Sequence, residues 1–270
     1  MLQKFIAILV ISASIAACST NALTGKKQFT LLPENELMAM ATQEYQQFLS
    51  SNKVVAISNN RDADMVKRVG SRIIKAVEGY YAEKGISEQL SGFKWETNLV
   101  DDKSVNAWCM PGGKIVVYTG ILPITQNEAA LAAVMGHEVC HALLQHGNQR
   151  MSTGLVQQLG GIALAVAVAN KPAETQNLFN TAYGIGSNVG LMLPFSRKHE
   201  LQADQYGLLF TAMAGYNPQE AIHLWERMEK AGDGQKPPEF LSTHPSEGRR
   251  IEQLQKFMPE ALKVYKPLGN

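Results

Sequence analysis

The 270-residue chain reads as a mainly α protein with a small β-sheet, an α+β arrangement in which the sheet precedes a histidine-bearing helix. Three observations predict this. Apolar residues recur at helical spacing in stretches spread along the chain. Strand-like runs are confined to residues 93–120. Turn signals such as Gly85, the "PGG" at 111–113, Gly147 and Pro218 mark where stretches end or meet.

Taken in order, "PENELMAMATQEYQQFL" (33–49) has Pro at a helix start and Leu37, Met40, Ala41, Tyr45 and Phe48 on one face. Residues 62–85 repeat the pattern with Met65, Val66, Val69, Ile73, Ile74 and Val77, and stop at Gly85. Strands follow at 93–100, 104–110 and, after the turn "PGG", 114–120. Residues 127–147 are rich in helix formers, open on Asn127–Glu128 and close on Gly147. The segment 150–170 is apolar, but its uninterrupted part is shorter than the roughly 20 residues a membrane span needs, so it reads as a core or interface helix. Helices at 197–216 and 217–232, a loop at 233–239 and a last helix at 246–258 complete the chain.

The N-terminus reads differently. Lys4 precedes the apolar run "FIAILVISASI" (5–15), which is too brief to be a mature span. It ends in "IAAC", and small residues directly before a cysteine resemble the lipobox of bacterial lipoproteins. That resemblance implies a signal peptide over 1–18, acylation of Cys18, a tether over 19–32 and a single domain over 33–270. Ser19 after the cysteine implies a lipid anchor in the outer membrane, facing the periplasm. An ordinary secretory signal with Cys18 incidental is the alternative.

A formal net charge of +1, with 18% charged residues, gives no electrostatic case for nucleic acid, whose binders carry a basic stripe or patch. The chemistry lies instead in "HEVCH", residues 137–141. Residues four apart on a helix differ by about 40° in direction and about 6 Å along the axis. His137 and His141 therefore project side by side, close enough to share one Zn²⁺. Glu138, about 100° round the helix, misses the metal but reaches a water beside it: two ligands and one base.

Leu144 and Gly147 stand where a metzincin would continue its motif, and His146, five residues past His141, points away from the pair. The third ligand is found instead in "KHELQAD" (198–204). Glu200 completes a His₂Glu site with an open fourth position, and Asp204 on the same face accepts the second N–H of a ligand imidazole. A solvated charged face is the alternative for these two acids, and His199, their neighbour, points in a rotated direction.

"VNAW", "PGGKIVVYTGIL", "NEAALAAVMGHEVCHAL", "LPFSRKHELQAD", "AGYNP" and "FLSTHPSEGRRI" occur in this order. As a set they resemble the zinc metalloendopeptidases of the HtpX and Oma-type group, relatives of the CAAX prenyl proteases, from about Pro33 onward. The resemblance implies a zincin-type metalloprotease domain and one Zn²⁺ per chain. It assigns His137, His141 and Glu200 as ligands and Glu138 as the base. It puts His244 and Arg249 at the cleft, where His244 stabilises the oxyanion or occupies the open zinc position. A helix-capping role is the alternative for His244, whereas His223 sits inside an amphipathic helix and reads as structural. Many relatives carry transmembrane helices, which this chain lacks.

"VNAW" resembles the family's edge strand, where a peptide binds by strand addition and Asn106 presents its amide, unless Asn106 only forms a turn. Cys109 and Cys140 occupy positions that are usually small in relatives. They read as two buried free thiols, with a disulfide latch as the alternative.

The function this implies is a zinc endopeptidase degrading unfolded or misassembled envelope proteins. Its rival is a lipid-anchored chaperone or assembly factor that uses the same groove around a latched, weakly active site.

Overall fold

A computed structural model describes residues 18–58, 60–159, 179, 195–232, 238–244 and 250–268. Residues 1–17 of the expected leader, 160–170 of the apolar helix, and Arg249 lie outside the described residues. Among the described residues, no helix is long and apolar enough to cross a membrane.

The chain opens with β1 (Cys18–Thr20) and β2 (Lys27–Phe29), an antiparallel pair, followed by helices α1 (Glu34–Ser51) and α2 (Arg61–Glu83). A second sheet holds β3 (Glu96–Val100), β4 (Ala107–Met110) and β5 (Lys114–Tyr118), in the order β3-β5-β4. β5 runs parallel to β3 and antiparallel to β4, with Cys109 opposite Ile115. The hairpin between β4 and β5 turns on Gly112 and Gly113, whose φ values of 78° and 82° suit residues without a Cβ. Then come the short α3 (Leu122–Thr125), the central α4 (Glu128–Leu143) and α5 (His146–Leu159). The last four helices are α6 (Arg197–Met213), α7 (Glu220–Gly232), α8 (Glu239–Thr243) and α9 (Arg250–Val264). The mainly α fold with a small sheet ahead of the histidine helix is thus as expected.

α4 is the hub. Its start is fixed by Asn127, whose side chain accepts from Ala130 N at 2.8 Å. Every residue from Ala130 to Leu143 is buried, because α2, α6, α7 and β4 all pack on it. That is why it carries no polar stripe. Its closest approach is to α6. A Cβ at Gly207 would lie 2.8 Å from His137 N, and one at Gly136 would lie 2.9 Å from Gly207 O. The two glycines let the helix carrying the histidines meet the helix carrying Glu200 backbone to backbone. Ser196 caps α6 by accepting from His199 N, which fixes where Glu200 falls in its first turn.

Three features depart from expectation. The segment 19–32 is a folded hairpin, not a loose tether, and it docks on the C-terminal end of α4. Asn21 orders its own turn by accepting from Leu23 N and Thr24 N, and donates to Leu143 O at 3.0 Å, one of the carbonyls a helix end leaves free. Asn148 donates to Leu32 O and Tyr206 to Leu23 O. The expected helix 127–147 breaks after Leu143, because Gln145 takes a left-handed φ of 54° and starts a new direction at His146. Finally, α9 runs on past Met258 through Pro259, since Met258 and Ala261 are both buried on its inner face.

Candidate metal centre

His137 and His141 leave α4 side by side, with Nε2 atoms 2.9 Å apart. Glu200 on α6 faces both: Oε2 lies 3.5 Å from His137 Nε2 and Oε1 lies 3.5 Å from His141 Nε2. His244, at the end of α8, closes the group. One ligand atom from each of these four residues falls within 4.8 Å of the others, and all four are buried.

His244 is held by its outer edge. Its Nδ1 lies 3.1 Å from Phe240 O and 2.8 Å from Thr243 Oγ1, and its ring stacks on Phe240. Nε2 faces inward, 3.4 Å from Glu138 Oε1, with no hydrogen-bond partner. Glu138 Oε1 and Glu200 Oε1 are likewise buried and without one. An unsatisfied buried polar atom costs about 1–3 kcal/mol, so three converging on one point call for a shared partner. Imidazole nitrogens with carboxylate oxygens, and no thiolate, form a donor set that fits a divalent cation such as zinc.

Asp204 sits where its spacing from Glu200 put it, with Oδ1 2.9 Å from His137 Nδ1. It fixes the ring so that Nε2 is the atom turned to the centre.

Sequence reasoning missed Arg250. Its guanidinium lies flat on Trp225, 3.6 Å from the ring centroid, donates to Glu200 Oε2 and Asp204 Oδ1 at 2.7 Å each, and is buried. Arg249, expected at the cleft, lies outside the described residues. Replacing Arg250 by Met is expected to leave two buried carboxylates uncompensated and to cost about 3–5 kcal/mol, with Lys a poor substitute for the bidentate fork. Urea unfolding of both variants measures this; a loss below about 1 kcal/mol would refute it.

Electrostatics divide the group. Burial and the Arg250 cation oppose a charged His137, but hydrogen bonds to Asp204 and Glu200 outweigh them, and its pKa rises to about 9. Burial pushes Glu138 up to about 8. Burial also pushes His141 well below its ordinary value, with the His137 charge adding to the effect, and lowers His244 to about 3. Glu200 is buried too, yet the His244, Arg250 and His137 charges hold it well below the usual carboxylate range.

Asn106 is buried, but its amide donates to Glu239 Oε1 at 3.0 Å rather than facing a groove. Next to it, Val105 O accepts from Phe240 N at 3.1 Å, so α8 takes one carbonyl of the stretch, while β4 stands at the edge of its sheet. Cys109 and Cys140 are free and buried, and burial raises both thiols well above their ordinary pKa; the latch is not formed. His199 is no part of the metal group. It stacks on His146, which does not point away but lies 3.0 Å from His141, Nδ1 to Nδ1.

The sequence profile of peptidase family M48 matches residues 64–258. The mitochondrial metalloendopeptidase OMA1 of Schizosaccharomyces pombe is 38% identical over 199 residues, covering 73% of this chain and 53% of its own length. The human mitochondrial metalloendopeptidase OMA1 is 32% identical over 251 residues, covering 90% of this chain and 46% of its own. The beta-barrel assembly-enhancing protease of Escherichia coli is 31% identical over 163 residues, covering 57% of this chain and 32% of its own. The chain thus spans about half the length of the mitochondrial relatives. These matches overturn the expected lipid-anchored, periplasm-facing location in the outer membrane. The Schizosaccharomyces pombe and human relatives, which align over two thirds or more of this chain, are mitochondrial by name, and that of Escherichia coli aligns over less. The fold, the convergent donors and the profile agree: this chain belongs to peptidase family M48.

Proposed function

We propose that the protein is a zinc-dependent endopeptidase acting on unfolded or misassembled proteins, envelope proteins among them. The observation that carries this is a single one: an unpartnered Glu138 carboxylate oxygen beside a buried His137–His141–Glu200 group. Structural zinc sites are closed by four protein ligands, usually rich in Cys, whereas three N/O ligands next to a free carboxylate is the catalytic pattern. The client class draws on the relative named as a beta-barrel assembly-enhancing protease.

His137, His141 and Glu200 would hold the metal, which when bound would supply a Lewis acid for the scissile carbonyl. Glu138 takes a proton from the attacking water and returns it to the leaving amine. Burial raises the Glu138 pKa in the metal-free site, and a divalent cation beside it would favour the carboxylate form that a base needs. His244 Nε2 lies on the same side as Glu138, placed either to donate to the developing oxyanion or, as a fourth ligand, to hold the site at rest. Asp204 and Arg250 keep the ligands in place.

The rival reading, a factor that holds clients with little turnover, is favoured by one feature: His244 already lies within the donor group. Incubating the full chain with casein separates the two. Cleavage is expected, lost on chelation and restored by added zinc, with His244→Ala faster than the parent if His244 is a latch. Zinc-loaded parent and His244→Ala that both retain intact casein would establish the holding role instead.

A further inference from the structure

We infer that His146 is a positioning residue for His141, and that Gln202 orients His146 in turn. His141 Nδ1 lies 3.0 Å from His146 Nδ1, and His146 Nε2 lies 3.4 Å from Gln202 Oε1. An amide oxygen only accepts, so His146 carries its proton on Nε2 and donates it to Gln202. Its Nδ1 is then an acceptor, and His141 must place its own proton on Nδ1. That tautomer leaves the lone pair of His141 on Nε2, the atom turned towards His137 and Glu200.

The geometry is over-determined. Phe195 lies 3.8 Å from the His141 ring by centroid, and His199 stacks on His146 at 4.3 Å, nearly parallel. Both rings are therefore fixed in plane as well as in tautomer. The left-handed Gln145 makes this possible by ending α4 and swinging His146 back towards the helix it has just left.

The arrangement also explains the spacing in α6. Glu200, Gln202 and Asp204 sit on one helix with three separate tasks. Glu200 faces the metal, Asp204 orients His137 directly, and Gln202 orients His141 through His146. One ligand histidine thus has an anionic support and the other a neutral one. A carboxylate raises the basicity of its imidazole partner more than a neutral imidazole does, so the two ligands are unequal electron donors.

The inference rests on the reading of His141 as a metal ligand. It is tested on the full chain by zinc competition against a chromogenic chelator, with unfolding of the metal-free protein measured in parallel. His146→Leu is expected to weaken zinc about 10–100-fold, the usual cost of losing a ligand's hydrogen-bond partner. His146→Asn, whose Oδ1 replaces the Nδ1 acceptor, is expected to recover most of this, and the half-buried Gln202→Leu to lose a smaller part. Nitrogen NMR of the zinc-loaded chain is expected to show His141 protonated at Nδ1. Zinc affinity of His146→Leu within twofold of the parent, or Asn no better than Leu with both losses following the unfolding temperature, would overturn the inference. So would His141 protonated at Nε2. A parent chain that fails to bind zinc would instead sink the reading on which it rests.

Discussion

Replacing Glu138 by Gln is expected to lower casein cleavage by about 10²–10⁴-fold while zinc still binds stoichiometrically, the range typical of a lost general base. The substitution removes the proton-transfer group with little change of shape, and with it one of the two negative charges that balance the cation, so zinc is expected to bind more weakly but to saturation. Gln has the shape of Glu, and the site already favours an uncharged group there, since burial drives the Glu138 pKa to about 8. Among the described residues Oε1 makes no hydrogen bond, so the change at that atom breaks none. The variant should therefore unfold at the same temperature as the parent or slightly higher. Unchanged cleavage by a zinc-loaded variant would remove Glu138 from the mechanism. A drop in both zinc content and stability would mean that the carboxylate is structural.

How much of this was legible in the sequence depends on distance along the chain. The i, i+4 placements within one helix are fixed by helical geometry alone, which is why His137 lies beside His141 and Asp204 lies on the face of Glu200. Residues that act across a turn were not legible. Gln145 takes a left-handed φ without being Gly, so nothing marked the break that returns His146 to His141. Arg250 was not singled out because its partners Glu200 and Asp204 lie on another helix about fifty residues away, a pairing that no local spacing records. The hairpin at 18–29 has strands of three residues, too short for alternation to register. Nor does the sequence show that α8, from more than 130 residues away, takes Val105 O beside the edge strand β4.

Zinc binding is expected to release about two protons at pH 7, and apparent affinity is expected to climb steeply with pH. The reason is a balance of charge in a buried place. Arg250 is paired with Glu200 and Asp204, which leaves one net negative charge, and ionised Glu138 makes two. A divalent cation neutralises both. Two protons do the same, one on His137 and one on Glu138, whose pKa values of about 9 and about 8 keep them protonated at pH 7. His141 and His244, pushed down by burial, and Glu200, held down by neighbouring positive charges, contribute no further protons. The sign follows. Both pKa values are raised, so protons compete with zinc throughout the range below them, and alkali favours the metal. Affinity should gain about a hundredfold per pH unit below 8, about tenfold between 8 and 9, and little above. Calorimetry in buffers of different ionisation enthalpy counts the protons directly. Release of fewer than one, with affinity flat from pH 6 to 8, would show that the buried carboxylates are neutralised in some other way.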